Sequence, residues 1–383
     1  MSQQLTALKG ALVLEGGRFC QDKVLLLRGA HIEGIVSNQQ VPSDAHVVDL
    51  DGGYLVPGFV DLQVNGGGGV MLNDQQDVAT LRRIAQAHAR IGATSILPTL
   101  ITDTPGHLTA AIQAVETALA EGVPGILGLH LEGPHLSKAR KGAHDAGLIR
   151  RMSDADMDVL LDAAKRIPVL KITVAPENVS NDQIAALSAA GILVSLGHTE
   201  ADFDTCKAAV QAGARCVTHL FNAQSQINGR EPGTVGAALA LGALSAGLIA
   251  DGVHVHPTSM SLALRAKQGP GQIFLVSDAM ATAGADIECF TLNGRDIHRS
   301  GNRLTLADGT LAGAHLELAT AVGNLVEMCG VSLEMALAMA CEFPAALIGA
   351  SDIGTLAEGR QADVLHLNEA LQIEKVWQRG DLV

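Results

Sequence analysis

The sequence predicts an α/β protein, a (β/α)8 barrel of the TIM type with a small β-sandwich domain built from both chain ends. In the middle of the chain, short apolar runs alternate with Ala-rich helical segments, and this alternation indicates parallel strands. The apolar runs number about eight, as a closed barrel requires. Both ends of the chain carry short strand-like runs without a helical period, which indicates a separate β-domain.

Length and composition set the scale of this fold. At 383 residues the chain exceeds the roughly 250–300 residues that one hydrophobic core usually serves, so a smaller accessory domain is expected. Hydrophobic residues make up 48% of the chain but aromatic residues only 2%, so aliphatic side chains must fill the core. The 40 acidic and 26 basic side chains give a net charge of −14, which argues against nucleic acid as a partner.

The cysteines and the N-terminus indicate a cytoplasmic protein. The six cysteines are scattered, without a CxxC pair or the spacing of a disulfide framework, so we expect reduced thiols. Residues 1–10 lack the basic and apolar layout of a signal peptide. The least charged stretch, residues 234–250, falls short of the roughly 20 apolar residues of a membrane span. We expect a packed helix followed by a barrel strand there, and no membrane partner.

The two chain ends share one pattern of short strands separated by Gly-containing or polar turns. The strand-like runs lie at residues 11–14, 23–28, 32–36, 47–50, 362–367 and 373–378. We therefore predict that residues 1–56 and 354–383 together form the small β-domain. Residues 57–353 then form the barrel domain.

The barrel elements follow in chain order. The predicted strands are residues 59–65, 94–99, 126–132, 171–177, 192–198, 216–219, 248–251 and 273–278. The clearest helices are residues 78–91, 105–121, 154–166, 182–190, 202–212 and 257–267, and several begin near Asp, Ser or Pro. Residues 286–312 break this rhythm, and the pair Asn293-Gly294 predicts a β-hairpin insert after the eighth strand.

Polar residues at the strand ends distinguish a barrel from a doubly wound open sheet, which shows the same alternation. A barrel converges the carboxyl ends of its strands on one site, whereas an open sheet would scatter them. The polar residues at separate strand ends are Gln63, Asn65, Glu132, Glu177, His198, His219, Asp251 and Asp278. Their number favours the barrel.

Glu132, His198 and His219 are the candidate metal ligands. A hydrolytic metal site typically uses three protein ligands and leaves a position for water, whose pKa the metal lowers to about 7. A single histidine is more often a hydrogen-bonded structural residue, but joint placement at barrel strand ends favours a metal site.

Three further polar residues near these ligands are candidates for supporting or catalytic roles. His130 lies two residues before Glu132 on one strand and is interpreted as a support for the ligands. His254 and His256 form an HxH pair, in which His254 is interpreted as a substrate contact. Asp278 ends an apolar run, where a carboxylate is costly unless it is used, so it is the candidate base, with turn capping as the alternative.

An ordered set of motifs runs along nearly the whole chain. The motifs include PGFVDLQVNGGGG, GLHLEGPHLSKARKGAH, SLGHT, THLFNA, GREPG, ADGVHV, VSDAMATAGA and GTLAGA. This set resembles the N-acetylglucosamine-6-phosphate deacetylases of the amidohydrolase superfamily. The resemblance implies one divalent metal ion, often zinc, held by Glu132, His198 and His219, with iron or another divalent ion left open. It also implies that Asp278 is the acid/base residue and that His254 contacts the scissile acetamide.

The resemblance also implies where the substrate binds and how subunits associate. The residues that it places at the substrate are Ala143, His144, Asn222, Ala223, Arg230, Leu311, Ala312 and Gly313. The phosphate would lie near Asn222, Ala223 and Arg230, and His144 would help to keep the pocket positive. Homodimers are usual in this family, and the subunit that supplies Arg230 to a given site stays open.

Gln63 and Asn65 depart from a pattern common among amidohydrolases. Many of these proteins begin the barrel with HxH, which binds a second metal ion, whereas neutral amides are poor metal ligands. We therefore expect one metal ion per chain. Gln63 and Asn65 are interpreted as support residues or as a vestigial metal position.

The expected reaction is hydrolysis of N-acetyl-D-glucosamine 6-phosphate to D-glucosamine 6-phosphate and acetate, in amino-sugar catabolism and cell-wall recycling. A metal-activated water would attack the acetyl carbonyl, with Asp278 as general acid and base. One alternative is the same chemistry on N-acetylgalactosamine 6-phosphate, which differs at one hydroxyl. The other is a non-catalytic scaffold, against which the intact ligand set argues.

Overall fold

The computed structural model describes residues 4–383 and has a parallel barrel at its centre. The barrel strands are Phe59–Val64, Ala93–Ile101, Leu129–Glu132, Leu170–Val174, Leu193–Leu196, Cys216–Val217, Ser245–Leu248 and Ile273–Leu275. Each strand pairs in parallel with the next along the chain, in one sheet of eight strands. Nearly every residue of these strands is buried, because helices cover the outside and side chains fill the inside.

The seam between the last and first barrel strands is closed by backbone and side-chain contacts. Val64 forms a parallel bridge with Ala279, and the N–H of Asn65 donates to the carbonyl of Ala279 at 2.9 Å. The carboxylate of Asp61 accepts from the N–H of Ser277 at 3.2 Å. Burial raises the pKa of Asp61 to about 7. The predicted (β/α)8 barrel is confirmed.

Helices surround the barrel and follow its strands. They are Val78–Arg90, Pro105–Ala120, Asp154–Ala163, Asn181–Ala189, Phe203–Ala212, Gly233–Ala240, Pro257–Ala266, Leu318–Cys329, Leu333–Ala340 and Glu342–Leu347. Side-chain oxygens cap several N-termini, as where Asp77 accepts from the N–H of Thr80. Each helix expected from the sequence is present. Within residues 4–383, no helix is long and apolar enough to cross a membrane.

The seventh barrel strand begins and ends earlier than the sequence predicts. It spans Ser245–Leu248 instead of residues 248–251, because its ladder with the eighth strand ends where Leu248 pairs with Leu275. Beyond the ladder, Asp251 turns into a loop in which its carboxylate accepts from the N–H of His254 at 2.8 Å. The apolar stretch before it forms a helix and then this strand, as expected.

Two packed sheets form the small β-domain. One contains His31–Ser37, Lys23–Arg28, Leu5–Lys9 and His46–Asp49, and the other contains Asp381–Leu382, Ile373–Gln378, Val364–Leu367, Tyr54–Pro57, Leu12–Glu15 and Arg18–Cys20. Leu8 and Leu25 of the first sheet share a buried cluster with Val364 and Trp377 of the second. The predicted sandwich from both chain ends is confirmed. The boundaries at residues 56 and 354 remain predictions.

The insert after the eighth barrel strand is larger than the predicted hairpin. Its strands Cys289–Leu292, Arg295–Ser300, Arg303–Thr305 and Leu311–Ala314 form an antiparallel sheet. The first two enclose the expected Asn293-Gly294 turn, in which Asn293 has a φ of 51°. Leu292 and Ile297 pack with Met280, so one face of the insert covers the mouth of the barrel. The prediction was too small because the two additional strands, Arg303–Thr305 and Leu311–Ala314, are only three and four residues long.

Candidate metal centre and active site

Glu132, His198 and His219 meet at the carboxyl end of the barrel. Glu132 Oε1 lies 3.1 Å from His198 Nε2 and 2.9 Å from His219 Nε2. The two imidazole nitrogens are 3.0 Å apart. All three side chains are buried, and one ligand atom from each lies within 4.8 Å of the others. The barrel therefore brings the three candidate ligands to a single point.

The donor atoms of this cluster fit a divalent metal ion. His198 Nδ1 donates to the backbone carbonyl of Arg140 at 2.7 Å, which leaves Nε2 as the ring nitrogen that can offer a lone pair to a metal ion. That lone pair faces a carboxylate oxygen and a second imidazole nitrogen. A cation bound among these electron-pair donors would offset their mutual repulsion in a buried site. Two imidazole nitrogens and one carboxylate oxygen are a donor set that zinc and similar ions accept.

The backbone is strained at two of the candidate ligands and at Asp278. His198, His219 and Asp278 each follow a barrel strand and have positive φ angles of 47°, 31° and 51°. Such conformations cost on the order of 1–3 kcal/mol for a non-glycine residue and concentrate at functional sites. Gly197 precedes His198 because a Cβ there would lie 2.8 Å from Thr173.

Asp278 lies beside the metal-ligand cluster and is held by two amides. Its Oδ1 accepts from Asn65 Nδ2 at 2.7 Å and from Gln63 Nε2 at 3.0 Å. Gln63 Nε2 also donates to Glu132 Oε2 at 3.2 Å. Burial, followed by the charge of Glu132, raises the pKa of Asp278. A raised pKa suits a carboxylate that takes up a proton and returns it.

His254 is oriented by a carboxylate to which the sequence assigned no role. Asp251 Oδ2 lies 2.6 Å from His254 Nδ1. The carboxylate keeps a proton on Nδ1, and His254 lines the cavity beside the candidate ligands. His256 instead accepts from the N–H of Thr258 and caps a helix, so the two histidines of the HxH pair do not act as one chelate.

His130 lies beneath the ligands, with both ring nitrogens in contact with hydroxyl groups. Its Nδ1 is 3.2 Å from Thr99 Oγ1, and its Nε2 is 2.8 Å from Thr173 Oγ1. Burial holds the pKa of His130 well below its ordinary value, so the ring is neutral. These contacts support its interpretation as a residue that braces neighbouring strands.

A cavity of about 390 Å³ opens above the ligands and Asp278. The residues expected at the substrate that line it are Ala143, His144, Asn222, Ala223, His254, Leu311 and Gly313. Ala312 is fully buried behind the wall. Arg230 is exposed and does not line the cavity of its own chain.

His144 differs from its expected role as a source of positive charge. Its ring lies edge-on to His198, with centroids 4.4 Å apart, and its Nδ1 is 2.8 Å from Thr102 Oγ1. Burial, followed by the nearby His198, lowers the pKa of His144 to about 3. The ring is therefore neutral and offers hydrogen bonds without charge.

Glu177 does not join the site, although the sequence places it at a strand end. The fourth barrel strand stops at Val174, and the chain then turns. Glu177 accepts from Thr199 Oγ1 at 2.5 Å and from the N–H of Glu200 at 2.6 Å. These bonds fix the loop after His198.

The four-glycine run after the first barrel strand packs against protein. The N–H of Gly68 donates to the carbonyl of Ala283 at 2.7 Å, and the N–H of Gly69 donates to that of Ala281 at 2.8 Å. Close backbone approach at these glycines thus fixes the loop that follows Asp278.

Several cavity residues were given no role by the sequence analysis. They are Ile101, Ala139, Arg140, Gly142, Ile249, Met280, Leu292 and Thr310. Leu292 and Thr310 come from the insert, whose position over the barrel cannot be inferred from its strand pattern. Arg295 of the insert donates to the carbonyl of Ala143, which joins the insert to the loop that contains Ala143.

Comparison with known proteins agrees with this geometry. Residues 54–383 match the amidohydrolase family. The chain is 40% identical to the N-acetylgalactosamine-6-phosphate deacetylase of Shewanella sp. (strain ANA-3), over 98% of this chain and 95% of that protein. It is 35% identical to the N-acetylglucosamine-6-phosphate deacetylase of Haemophilus influenzae, over 90% of each protein.

A solved structure shows the same architecture. The crystal structure of N-acetylglucosamine-6-phosphate deacetylase from Pasteurella multocida matches with a TM-score of 0.95 at 34% identity, over 99% of each chain. The family match covers residues 54–383, and the fold agrees over 99% of the chain. The protein belongs to the amidohydrolase family of metal-dependent hydrolases, in the group that contains the deacetylases of N-acetylated amino-sugar phosphates.

Proposed function

We propose that this protein hydrolyses the acetamide of N-acetyl-D-glucosamine 6-phosphate and releases acetate and D-glucosamine 6-phosphate. The observation that carries the proposal is the position of Asp278 and His254 beside the three candidate ligands, at the base of one cavity. The deacetylases among the relatives support the substrate class.

Glu132, His198 and His219 would hold one divalent ion, and we propose zinc because two imidazole nitrogens and a carboxylate suit it. When bound, such an ion lowers the pKa of water to about 7 and polarises a carbonyl group. The chain's own residues supply the remaining chemistry.

Asp278 would move the proton. Its raised pKa lets it accept a proton from the attacking water while the water oxygen adds to the acetyl carbon. When the C–N bond breaks, Asp278 would return this proton to the departing nitrogen. One residue thereby serves as base in the first step and as acid in the second.

His254 would stabilise the negative charge that develops on the acetyl oxygen. Asp251 holds Nδ1 and leaves Nε2 directed away from the carboxylate. From Nε2 the ring would donate a hydrogen bond to the developing oxyanion. Asp251 is therefore proposed to position this residue.

Phosphate recognition is proposed to involve two copies of the chain. Asn222 and Ala223 line the cavity, whereas Arg230 lies on an exposed loop with Ile227, which is 55% exposed. An exposed arginine that does not line the cavity of its own chain fits a homodimer in which Arg230 enters the site of the partner subunit. Its guanidinium would make charge-assisted, bidentate bonds to the phosphate.

The six free cysteines support a cytoplasmic location.

Substitution of Arg230 by alanine is expected to raise KM for the phosphorylated sugar by about tenfold to a hundredfold, because a charge-assisted bond contributes roughly 1.5–3 kcal/mol. Some loss of kcat is compatible, since remote binding energy also positions the reacting group. Initial rates against substrate concentration measure both constants. Arg18→Ala, at an exposed position of the small β-domain, is the control. An unchanged KM for Arg230→Ala would exclude this phosphate contact.

N-acetyl-D-galactosamine 6-phosphate is the second candidate substrate. The 40% identical relative from Shewanella is a deacetylase of this sugar phosphate. The two candidate sugars differ only in the configuration of one hydroxyl group. The acetamide and phosphate chemistry is the same for both.

Acetate release from four compounds tests the proposal. The purified protein is assayed with the gluco and galacto sugar phosphates and with both unphosphorylated sugars. We expect rapid release from N-acetylglucosamine 6-phosphate and far slower release from the sugars without phosphate. Faster release from the galacto compound would assign the second candidate. Equal rates with and without phosphate would exclude an amino-sugar phosphate as the specific substrate.

A further inference from the structure

Two buried amide side chains, Gln63 and Asn65, converge on one oxygen atom of Asp278. Gln63 Nε2 lies 3.0 Å and Asn65 Nδ2 lies 2.7 Å from Asp278 Oδ1. Gln63 is 0% and Asn65 1% exposed, so water does not compete for these bonds. Both residues come from the first barrel strand and its end, on the other side of the barrel seam from Asp278.

The orientation of both amides follows from the carboxylates around them. An ionised carboxylate only accepts hydrogen bonds, so each amide must turn its NH2 group toward Asp278. Gln63 Nε2 has two hydrogens and donates one to Asp278 and one to Glu132 Oε2, which lies 3.2 Å away. It therefore bridges two negative groups that would otherwise repel each other in a buried site.

The opposite ends of the two amides have no protein partner. Gln63 Oε1 and Asn65 Oδ1 are buried and accept no hydrogen bond from any residue in the range 4–383. Most buried polar atoms in folded proteins are paired, in roughly 90% of cases or more. The contacts of both amides with protein are therefore made by their NH2 groups.

Asp278 Oδ2 differs from Oδ1 in its contacts. Across the described part of the chain, no donor binds Oδ2, whereas Oδ1 receives both amides. Two donors on one oxygen also fix the rotation of the carboxylate. The two oxygens of Asp278 are therefore not equivalent.

We propose that Gln63 and Asn65 are positioning residues for deacetylation, which hold Asp278 Oδ1 and so reserve Oδ2 for proton transfer. The proposal rests on the proposed function, because it assigns the two amides to the acid/base residue of that reaction. Oδ2 exchanges the proton with the attacking water and the leaving nitrogen, while Oδ1 remains hydrogen-bonded throughout.

A double-mutant cycle tests this role. Gln63→Met keeps the length of the side chain and removes the N–H donors, and Asn65→Leu does the same at the second position. Each should lower kcat by about tenfold to a hundredfold, the size expected when a catalytic group is misplaced by about 1 Å. Substrate KM and the metal content per chain should stay within about twofold of wild type.

The same substitutions in the Asp278→Asn background distinguish positioning from general damage. If the amides act through Asp278, neither Gln63→Met nor Asn65→Leu should lower the residual kcat of Asp278→Asn by more than about twofold. The effects of substitutions at interacting residues are not additive. Losses that multiply in this background would overturn the positioning role. Wild-type turnover in Asp278→Asn alone would overturn the proposed function instead.

Gln361→Met is the control for loss of an amide-to-carboxylate contact away from the cavity, at a partly buried position. Gln361 Nε2 donates to Asp363 Oδ2 at 3.0 Å in the small β-domain and does not line the cavity. Its replacement should lower the thermal midpoint and leave kcat unchanged. If Gln63→Met likewise lowered only the thermal midpoint, or if it lost the metal ion, the amides would have a structural or ligand-supporting role and the inference would be wrong.

Discussion

Replacement of His219 by alanine is expected to remove the bound metal ion and nearly all turnover. His219 Nε2 contacts both other ligand atoms, at 2.9 Å from Glu132 Oε1 and 3.0 Å from His198 Nε2. Removal of one of three ligands leaves an incomplete site that water must fill. The same result is expected for His198→Ala, whose Nδ1 is already bound to the carbonyl of Arg140.

Elemental analysis of purified protein measures this effect directly. Wild type should hold one ion per chain after dialysis, and His219→Ala should hold almost none. The wild-type fold should also lose thermal stability when a chelator removes the ion, because a ligand that binds only the native state stabilises it. His46→Ala, at an exposed position of the small β-domain, should retain the ion. Full occupancy in His219→Ala would show that this ligand is misassigned.

Replacement of Asp278 by asparagine is expected to abolish most turnover while the metal ion and the substrate still bind. Asparagine keeps the size of the side chain, but it neither takes a proton from water nor returns one to an amine. General acid/base catalysis contributes typically about 10²–10⁴-fold, and a residue that serves both steps should reach the upper part of that range. Asp278 is not one of the three clustered ligands, so metal content should persist.

Metal analysis and equilibrium binding of the sugar phosphate are the controls for Asp278→Asn. A mutant that binds both normally and keeps more than about a tenth of wild-type kcat would contradict the mechanism, whose acid/base contribution is expected to be much larger. A mutant that loses the ion would place Asp278 among the ligands.

Much of the barrel was predictable because its strands are buried on both faces. Continuous apolar runs such as Ile273–Leu275 indicate buried parallel strands when helical segments lie regularly between them. The candidate ligands were recognisable for a related reason, since Glu132, His198 and His219 lie at the ends of separate strands, which a barrel brings together. Capping residues such as Asp77 marked the helix starts.

The remaining features depend on three-dimensional contacts that a linear pattern does not encode. Glu177 was misplaced because the fourth strand ends at Val174, where its ladder ends. The pairing of Asp251 with His254 depends on a loop after the seventh strand, and the contact between Arg295 and Ala143 depends on how the insert folds back.

Gln63 and Asn65 illustrate the difference between residue type and arrangement. Their identity as amides was enough to argue against a second metal ion. Their bonds to Asp278 were not predictable, because closure of the barrel brings together residues that are 215 and 213 positions apart in the sequence.

The central claim is that this chain is a deacetylase with a single metal ion per active site. It is tested most directly by a titration of metal-free protein with zinc, in which acetate release from N-acetylglucosamine 6-phosphate and bound metal are measured in the same samples. The account predicts no acetate release without metal and a linear rise that stops at about one ion per chain, because three ligands form one hydrolytic site. A rise that continues to two ions per chain, or acetate release from the metal-free protein, would contradict it.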